Sequence, residues 1–132
     1  MLNGKYYELA QRLKAVIPAE RLIHDDLRLL AFGTDASFYR LIPKLVIKVH
    51  NEAETVKVIK ECHRLSLPLT IRAAGTSLSG QSLSDSVLML LVPSKWRNYS
   101  VRDDQQEITA QPALTGKKMI QILSRFNKKI LQ

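Results

Sequence analysis

The chain has 132 residues, of which 45% are hydrophobic and 24% charged, with a net charge of +8 and a single cysteine. That length suits one domain with one real core, and the lone Cys62 excludes an internal disulfide framework or a cysteine-built metal cluster. No apolar run is long enough to span a bilayer, and Met1-Leu-Asn-Gly-Lys-Tyr-Tyr-Glu8 lacks the basic-then-apolar order of a signal peptide. A cytoplasmic protein is expected, or one peripheral to a membrane.

Tyr6, Leu9, Leu13 and Ile17 recur at helical spacing, and Pro18 ends that run. A second helical stretch is expected over residues 19–30, leading into the loop Phe32-Gly-Thr-Asp-Ala-Ser-Phe-Tyr39. Pro43 then opens a strand, Lys44-Leu-Val-Ile-Lys-Val49, rich in β-branched residues. Asn51 followed by Glu54 marks a helix start, and that helix is expected to reach Leu65 with Val56, Ile59 and Cys62 or His63 facing inward. Leu67-Pro-Leu breaks it, and Leu69-Thr-Ile-Arg72 reads as the next strand. Residues 45–71 are thus a βαβ unit with parallel strands.

Val87-Leu-Met-Leu-Leu-Val92 is a third apolar strand, stopped by Pro93. Residues 99–102 and 107–111 flank the polar turn Asp103-Asp104-Gln105-Gln106 and predict a hairpin. Thr115 caps an amphipathic helix whose apolar face carries Met119, Ile122 or Leu123, Phe126 and Ile130. The fold class is α+β: N-terminal helices, a βαβ unit with a small parallel sheet, a hairpin and a C-terminal amphipathic helix. The chain divides into a helical lead-in over 1–42 and a second part over 43–132.

From Ile108 to Gln132 there are five Lys/Arg and no acid. Such a face can attract nucleic acid or acidic lipid. No helix-turn-helix, zinc or RNP-type pattern supports nucleic acid, so a solvated helix face or a partner surface is the plainer reading.

The stretch Gly75-Thr-Ser-Leu-Ser-Gly80-Gln81-Ser82 has every element of a Walker P-loop except its lysine, replaced by Gln81. Glutamine supplies no charge for a triphosphate, and only residues 82–86 separate it from the next strand. A P-loop must run into a helix whose N-terminal amides hold the phosphate, and there is no room for one here. G-x-G-x-x-G fails too, because Gly75 and Gly80 are the only glycines in the region. Gly116-Lys117-Lys118 lacks a glycine five residues earlier, so it is not a second P-loop. What remains is a strand–loop–strand turn with small hydroxyl residues between two glycines. It reads either as a backbone cradle for an anion or as a long polar connection.

Three segments in order resemble the FAD-binding domain of FAD-linked oxidases, the vanillyl-alcohol oxidase / p-cresol methylhydroxylase superfamily. They are Thr34-Asp35-Ala-Ser37-Phe-Tyr39-Arg-Leu-Ile-Pro43, then Pro43-Lys-Leu-Val-Ile-Lys-Val49 with Glu52-Ala-Glu54-Thr-Val56, and Arg72-Ala-Ala-Gly75-Thr-Ser-Leu-Ser-Gly80-Gln81. The last matches the R-x-x-G-T-S-x-x-G-Q diphosphate loop. Within the superfamily the sequence is most similar to the branch that holds the flavin-binding subunit of glycolate oxidase, D-lactate dehydrogenases and D-2-hydroxyglutarate dehydrogenases. The resemblance implies FAD as cofactor, a 2-hydroxy acid as substrate, and the loop's amides on the FAD pyrophosphate. It places Ala73, Ala74, Gly75, Thr76, Ser77, Leu78, Ser79 and Gly80 there, with Arg72 and Gln81 flanking and Pro112 and Ala113 approaching from a later strand. Asp35, Ser37 and Tyr39 are expected nearer the flavin or its access channel. Catalytic residues are not assigned, and no metal ligand is expected in this chain.

The family commonly has glycine where Ala73, Ala74 and Ala113 stand, and the third strand lacks the usual preceding glycine and following acid, Asp85 standing two residues ahead of it. Alanine at 73 and 74 occurs readily in this branch, but Ala113 and the irregular third strand support an alternative, a degenerate module without cofactor that docks a partner through its basic C-terminal face. The chain is expected to be the first part of a larger flavoenzyme whose substrate domain follows, and to be inactive alone. His24, His50 and His63 are scattered, with His63 read as a helix-face residue and Cys62 as a small buried hydrophobe. Trp96 is expected to pack at a strand end, with stacking on flavin or adenine the other reading.

Overall fold

A computed structural model of the chain describes residue 2 and residues 4–125. In order, the elements are helix α1 (Gly4–Leu13), a 3-10 turn (Ala19–Arg21), strand β1 (Leu22–Ile23), helix α2 (Asp26–Ala31), strand β2 (Leu45–Val49) and helix α3 (Glu52–Leu65). Strands β3 (Leu69–Arg72), β4 (Val87–Leu91), β5 (Tyr99–Val101) and β6 (Ile108–Ala110) follow, and helix α4 (Gly116–Ser124) closes the series.

The main sheet has the order β1-β2-β4-β3. β2 and β3 both run parallel to β4, with Ile47 and Ile71 each opposite Met89, whereas β1 pairs antiparallel to β2 with Leu22 opposite Ile47. β2–α3–β3 is therefore a parallel unit, as its sequence indicates, with β4 inserted between the two strands. β5 and β6 form a separate antiparallel ribbon, Val101 opposite Ile108.

β2 and β4 are apolar along nearly their whole length because both of their faces are covered. Leu45, Ile47, Val49, Val87, Met89 and Leu91 point into the larger core, where Leu9, Leu13, Ile17, Val58, Cys62 and Trp96 meet them. Val46 and Leu88 point the other way, against Ile23 and Leu29, with Phe32 and Leu90 at the margin. α1 and α3 thus cover one face and α2 the other.

Two expectations are corrected. Residues 19–30 are not one helical stretch. Leu22 and Ile23 are both buried and pair with the edge of β2, and α2 begins afresh at Asp25, whose carboxylate accepts the Arg28 amide at 3.1 Å. Edge pairing and burial there outweigh local helix propensity. The inner face of α3 is Val58, Cys62 and Leu65, while Val56 and Ile59 are 41% and 43% exposed. The apolar residues of this helix fit two phases at 3.6-residue spacing, and Leu65 against the core selects the second.

The start of α3 is heavily bonded. Asn51 Oδ1 accepts the Glu54 amide at 2.9 Å, and Glu54 Oε2 accepts the His50 amide at 2.8 Å. Arg21 grips the same carboxylate with two bonds of 2.7 and 2.8 Å and also donates to the Lys48 carbonyl. This fork ties the 3-10 turn to β2 and α3, and it holds the Glu54 carboxyl below its ordinary value. Trp96 packs in the core with its indole N–H donating to the Val49 carbonyl at 3.0 Å, so the strand-end reading holds. Cys62 is buried, and burial pushes its thiol up to about 11. His63 lies on the exposed face of α3. α4 buries Ile122 and Leu123, while Phe126 and Ile130 lie outside the described residues.

Candidate functional site

Because β3 and β4 are parallel neighbours, the chain between them must return from one end of the sheet to the other. Such a connection usually contains a helix. Here residues 73–86 make it without one. Its second half is fixed to β3. Thr70 Oγ1 donates to the Leu83 carbonyl at 3.2 Å, and Arg72 donates to the Ser82 carbonyl through Nε at 2.9 Å and Nη2 at 2.6 Å. Thr70 and Arg72 can both do this because alternate residues of a strand face the same side. Ser84 and Ser86 are buried and bonded, Ser84 Oγ to the Val87 carbonyl and the Ser86 amide to Ser84 Oγ. Tyr6 of α1 reaches the Ser86 hydroxyl at 3.0 Å.

The first half, residues 73–81, projects beyond this base. Ser77 Oγ donates to Gln81 Oε1 and accepts the Gln81 amide at 3.2 Å, so these two side chains brace the tip internally. The amides of residues 74–78 and of Gly80 donate to no other described residue. Gly75 and Gly80 have φ of +69° and +80°, the left-handed region that favours glycine. A Cβ on Gly75 would lie 3.2 Å from Arg72 Cδ, and one on Gly80 would lie 3.1 Å from Tyr39 Cδ2. Residues 73–81 contain no acidic side chain. Unpaired amides, small hydroxyl residues and the absence of carboxylates make a tip suited to an anion.

The lead-in loop lies against this structure. Asp35 accepts the Ser37 amide at 2.7 Å and the Ser82 hydroxyl at 3.1 Å, and the Ser37 contact leads in holding its carboxyl below the ordinary value. The Tyr39 amide donates to Ser37 Oγ at 3.2 Å. Tyr39, Arg40, Leu41, Ser79, Gly80 and Leu83 enclose a shallow cleft of about 230 Å3. Residues 34–41 and 75–83, read separately in the sequence, therefore form one surface. The sequence pairs neither Asp35 with Ser82 nor Tyr39 with Gly80, because contacts over such separations leave no periodic trace.

Pro112 and Ala113 stand at the junction of β6 and α4. The Ala113 amide donates to the Trp96 carbonyl at 3.0 Å, and its methyl group packs against the larger core. Ala113 also borders a second cleft of about 390 Å3 with Arg97, Tyr99, Lys117 and Lys118. No hydrogen bond joins residues 112–113 to residues 72–81 among those described. Arg72 lies under the loop, 6% exposed, and its burial lowers its pKa.

A sheet with helices on both faces, carrying an amide-rich loop between parallel strands, is the architecture of a flavin-binding domain of the p-cresol methylhydroxylase type. The FAD binding domain family matches residues 43–130, and the chain belongs to that family. Its cofactor is FAD. The chain is 31% identical over 86 residues to glycolate oxidase subunit GlcD of Escherichia coli (strain K12), an alignment covering 64% of this chain and 17% of the relative. Among solved structures, alkyldihydroxyacetonephosphate synthase superposes with a TM-score of 0.74 at 16% identity, over 93% of this chain and 25% of that one. 4-Ethylphenol oxidase from Gulosibacter chungangensis gives 0.71 at 12%, over 97% and 26%. p-Cresol methylhydroxylase with substrate bound gives 0.61 at 12%, over 95% and 25%. The chain spans about a sixth of the curated relative and a quarter of these solved chains. Among the described residues no helix is long and apolar enough to cross a membrane, and no group of three His, Cys, Asp or Glu could hold a metal ion.

Proposed function

We propose that residues 73–81 hold the diphosphate of FAD, mainly through the backbone amides of 74–78 and Gly80. In this reading Thr76 and Ser79 add hydroxyl donors, Leu78 stands exposed at the tip and Gln81 braces Ser77. Arg72 shapes the loop from beneath, and Pro112 and Ala113 border the cofactor from the β6–α4 junction. The carrying observation is the run of unpaired amides between two left-handed glycines. FAD, when bound, supplies the acceptor for the hydride removed from substrate. The chain's own work is to bind and orient.

The protein that carries this domain is proposed to oxidise a 2-hydroxy acid such as glycolate, D-lactate or D-2-hydroxyglutarate, with the substrate-binding groups contributed beyond residue 132. The similarity to glycolate oxidase subunit GlcD supports that choice. Residues 34–41 and 72–83 provide a cofactor cradle, and the 132-residue chain alone is proposed to be inactive. Loss of the flavin's visible absorbance when each acid is added anaerobically to the full-length protein is the test. Bleaching by none of the three overturns the substrate class, and a protein that takes up no FAD overturns the cofactor site.

The cofactor-free docking module predicts no FAD uptake at all. Its main support is the alanine at 113, and that methyl group sits against the core.

A further inference from the structure

Ser82 is gripped from two sides. Asp35 Oδ2 accepts its hydroxyl at 3.1 Å, while its carbonyl accepts Nε and Nη2 of Arg72 at 2.9 and 2.6 Å. The other Asp35 oxygen takes the Ser37 amide at 2.7 Å, which fixes the carboxylate's orientation. The two grips come from different parts of the fold, the lead-in loop and the end of β3. Asp35 and Arg72 also feel each other's charge, each favouring the ionised form of the other. Nε and Nη2 of Arg72 both donate to the same carbonyl, and the side chain is largely buried under the loop.

The geometry points to Asp35 as a positioning residue for the diphosphate loop, acting through Ser82, with Arg72 as the clamp on the same residue from β3. This inference rests on the FAD-diphosphate reading of residues 73–81. It has a consequence opposite in sign to simple electrostatics. A carboxylate near a diphosphate repels it, so as a bare charge Asp35 would weaken FAD binding and its removal would tighten it. As a positioning residue its removal frees Ser82 and loosens the loop, so FAD binding weakens although a negative charge has gone.

The experiment is FAD titration of the flavin-free full-length protein in wild type, Asp35→Ala, Asp35→Asn, Ser82→Ala and the Asp35→Ala/Ser82→Ala double variant. Asp35→Ala and Ser82→Ala are each expected to weaken binding roughly ten-fold, the worth of one hydrogen bond to a charged group. The double variant is expected to be no weaker than Asp35→Ala by more than about two-fold, since both remove the same contact. Asp35→Asn keeps an oxygen for the Ser37 amide and offers an N–H to Ser82 Oγ, so it restores most of the affinity. Hydrogen exchange should quicken at residues 73–82 in Asp35→Ala and stay unchanged in α1 and β2.

Unchanged or tighter FAD binding in Asp35→Ala, or fully additive losses in the double variant, overturns the positioning role. If Asp35→Ala does not fold, Ser82→Ala removes the same bond from the other side and decides the matter. Gly75→Ala separates the two layers of inference. FAD binding untouched by Gly75→Ala sinks the diphosphate reading itself, whereas binding weakened by Gly75→Ala and not by Asp35→Ala or Ser82→Ala sinks the positioning role alone.

Discussion

Gly75 and Gly80 have the same sequence signature but different surroundings, so alanine should not cost the same at both. Each has a left-handed φ, +69° and +80°, and placing an L side chain there costs about 1–2 kcal/mol. At Gly80 the new Cβ meets Tyr39 Cδ2 at 3.1 Å, but Tyr39 is 64% exposed and its ring can swing outward. The total for Gly80→Ala stays near the backbone cost, roughly a 5- to 30-fold loss of FAD affinity. At Gly75 the Cβ meets Arg72 Cδ at 3.2 Å, and that side chain is buried with its guanidinium fixed on Ser82. Relieving the contact means shifting the clamp, an overpacking cost of about 1–3 kcal/mol on top of the backbone cost. Gly75→Ala should therefore weaken FAD binding by roughly two orders of magnitude. Isothermal titration of FAD into the flavin-free full-length variants reads both numbers. Equal losses at the two positions, or a larger loss at Gly80, would refute the assignment of Arg72 as the immovable neighbour.

Three further predictions concern the frame behind the loop. Glu54→Ala leaves Arg21 unpaired with both side chains only 13% and 12% exposed, and should destabilise the chain by roughly 2–4 kcal/mol in urea unfolding. Since the Glu54 pKa is lowered on folding, its contribution is present in full above the unfolded value near 4.5 and is lost as pH falls through the folded value. The stability gap between wild type and Glu54→Ala should accordingly narrow in acid, and a gap that widens would contradict the Arg21 assignment. Cys62, buried with its thiol at about 11, should resist thiol reagents at neutral pH until denaturant is added. Trp96→Phe removes the donor to the Val49 carbonyl and should cost roughly 1–3 kcal/mol in the same unfolding assay.

The sequence carries the strands best where one pattern has one interpretation. Leu45–Val49 and Val87–Leu91 are apolar on both faces, and the structure sandwiches both between covered sides. Asn51 and Thr115 announce their helices because a cap is a local bond, and both caps form as expected. β1 is not legible, since Leu22 and Ile23 extend only by pairing with β2, a partner more than twenty residues away. The inner face of α3 fails for a related reason: Val56 and Ile59 are as apolar as Val58 and Leu65, and only the positions of α1 and the sheet choose between them. At the loop, glycines and hydroxyl residues are visible in sequence, because a left-handed backbone and a close anion both restrict residue type. The Asp35 and Arg72 grips on Ser82 are invisible there, because any donor or acceptor at the right place would serve.

The connection between β3 and β4 explains why the site has the form it does. A helix in that place would spend its amides on its own ladder and leave only the first four free. A bare loop leaves more of them free, but ordering it costs about 1–2 kcal/mol per residue in backbone entropy. Bonding is divided accordingly: Thr70, Arg72, Asp35, Ser84 and Tyr6 all attach to residues 82–87, and none of them bonds to residues 74–80. The base is ordered by the fold, and the tip keeps its amides for the ligand. Substitutions at the two ends should therefore separate. Thr70→Val or Ser84→Ala, which strip bonds from the base, should lower unfolding stability and FAD affinity together. Substitutions of the exposed tip residues Thr76 and Ser79 should lower FAD affinity and leave the unfolding midpoint of the flavin-free protein where it was. A tip substitution that lowers that midpoint as much as a base substitution would mean the fold, and not the diphosphate, is what the amides serve.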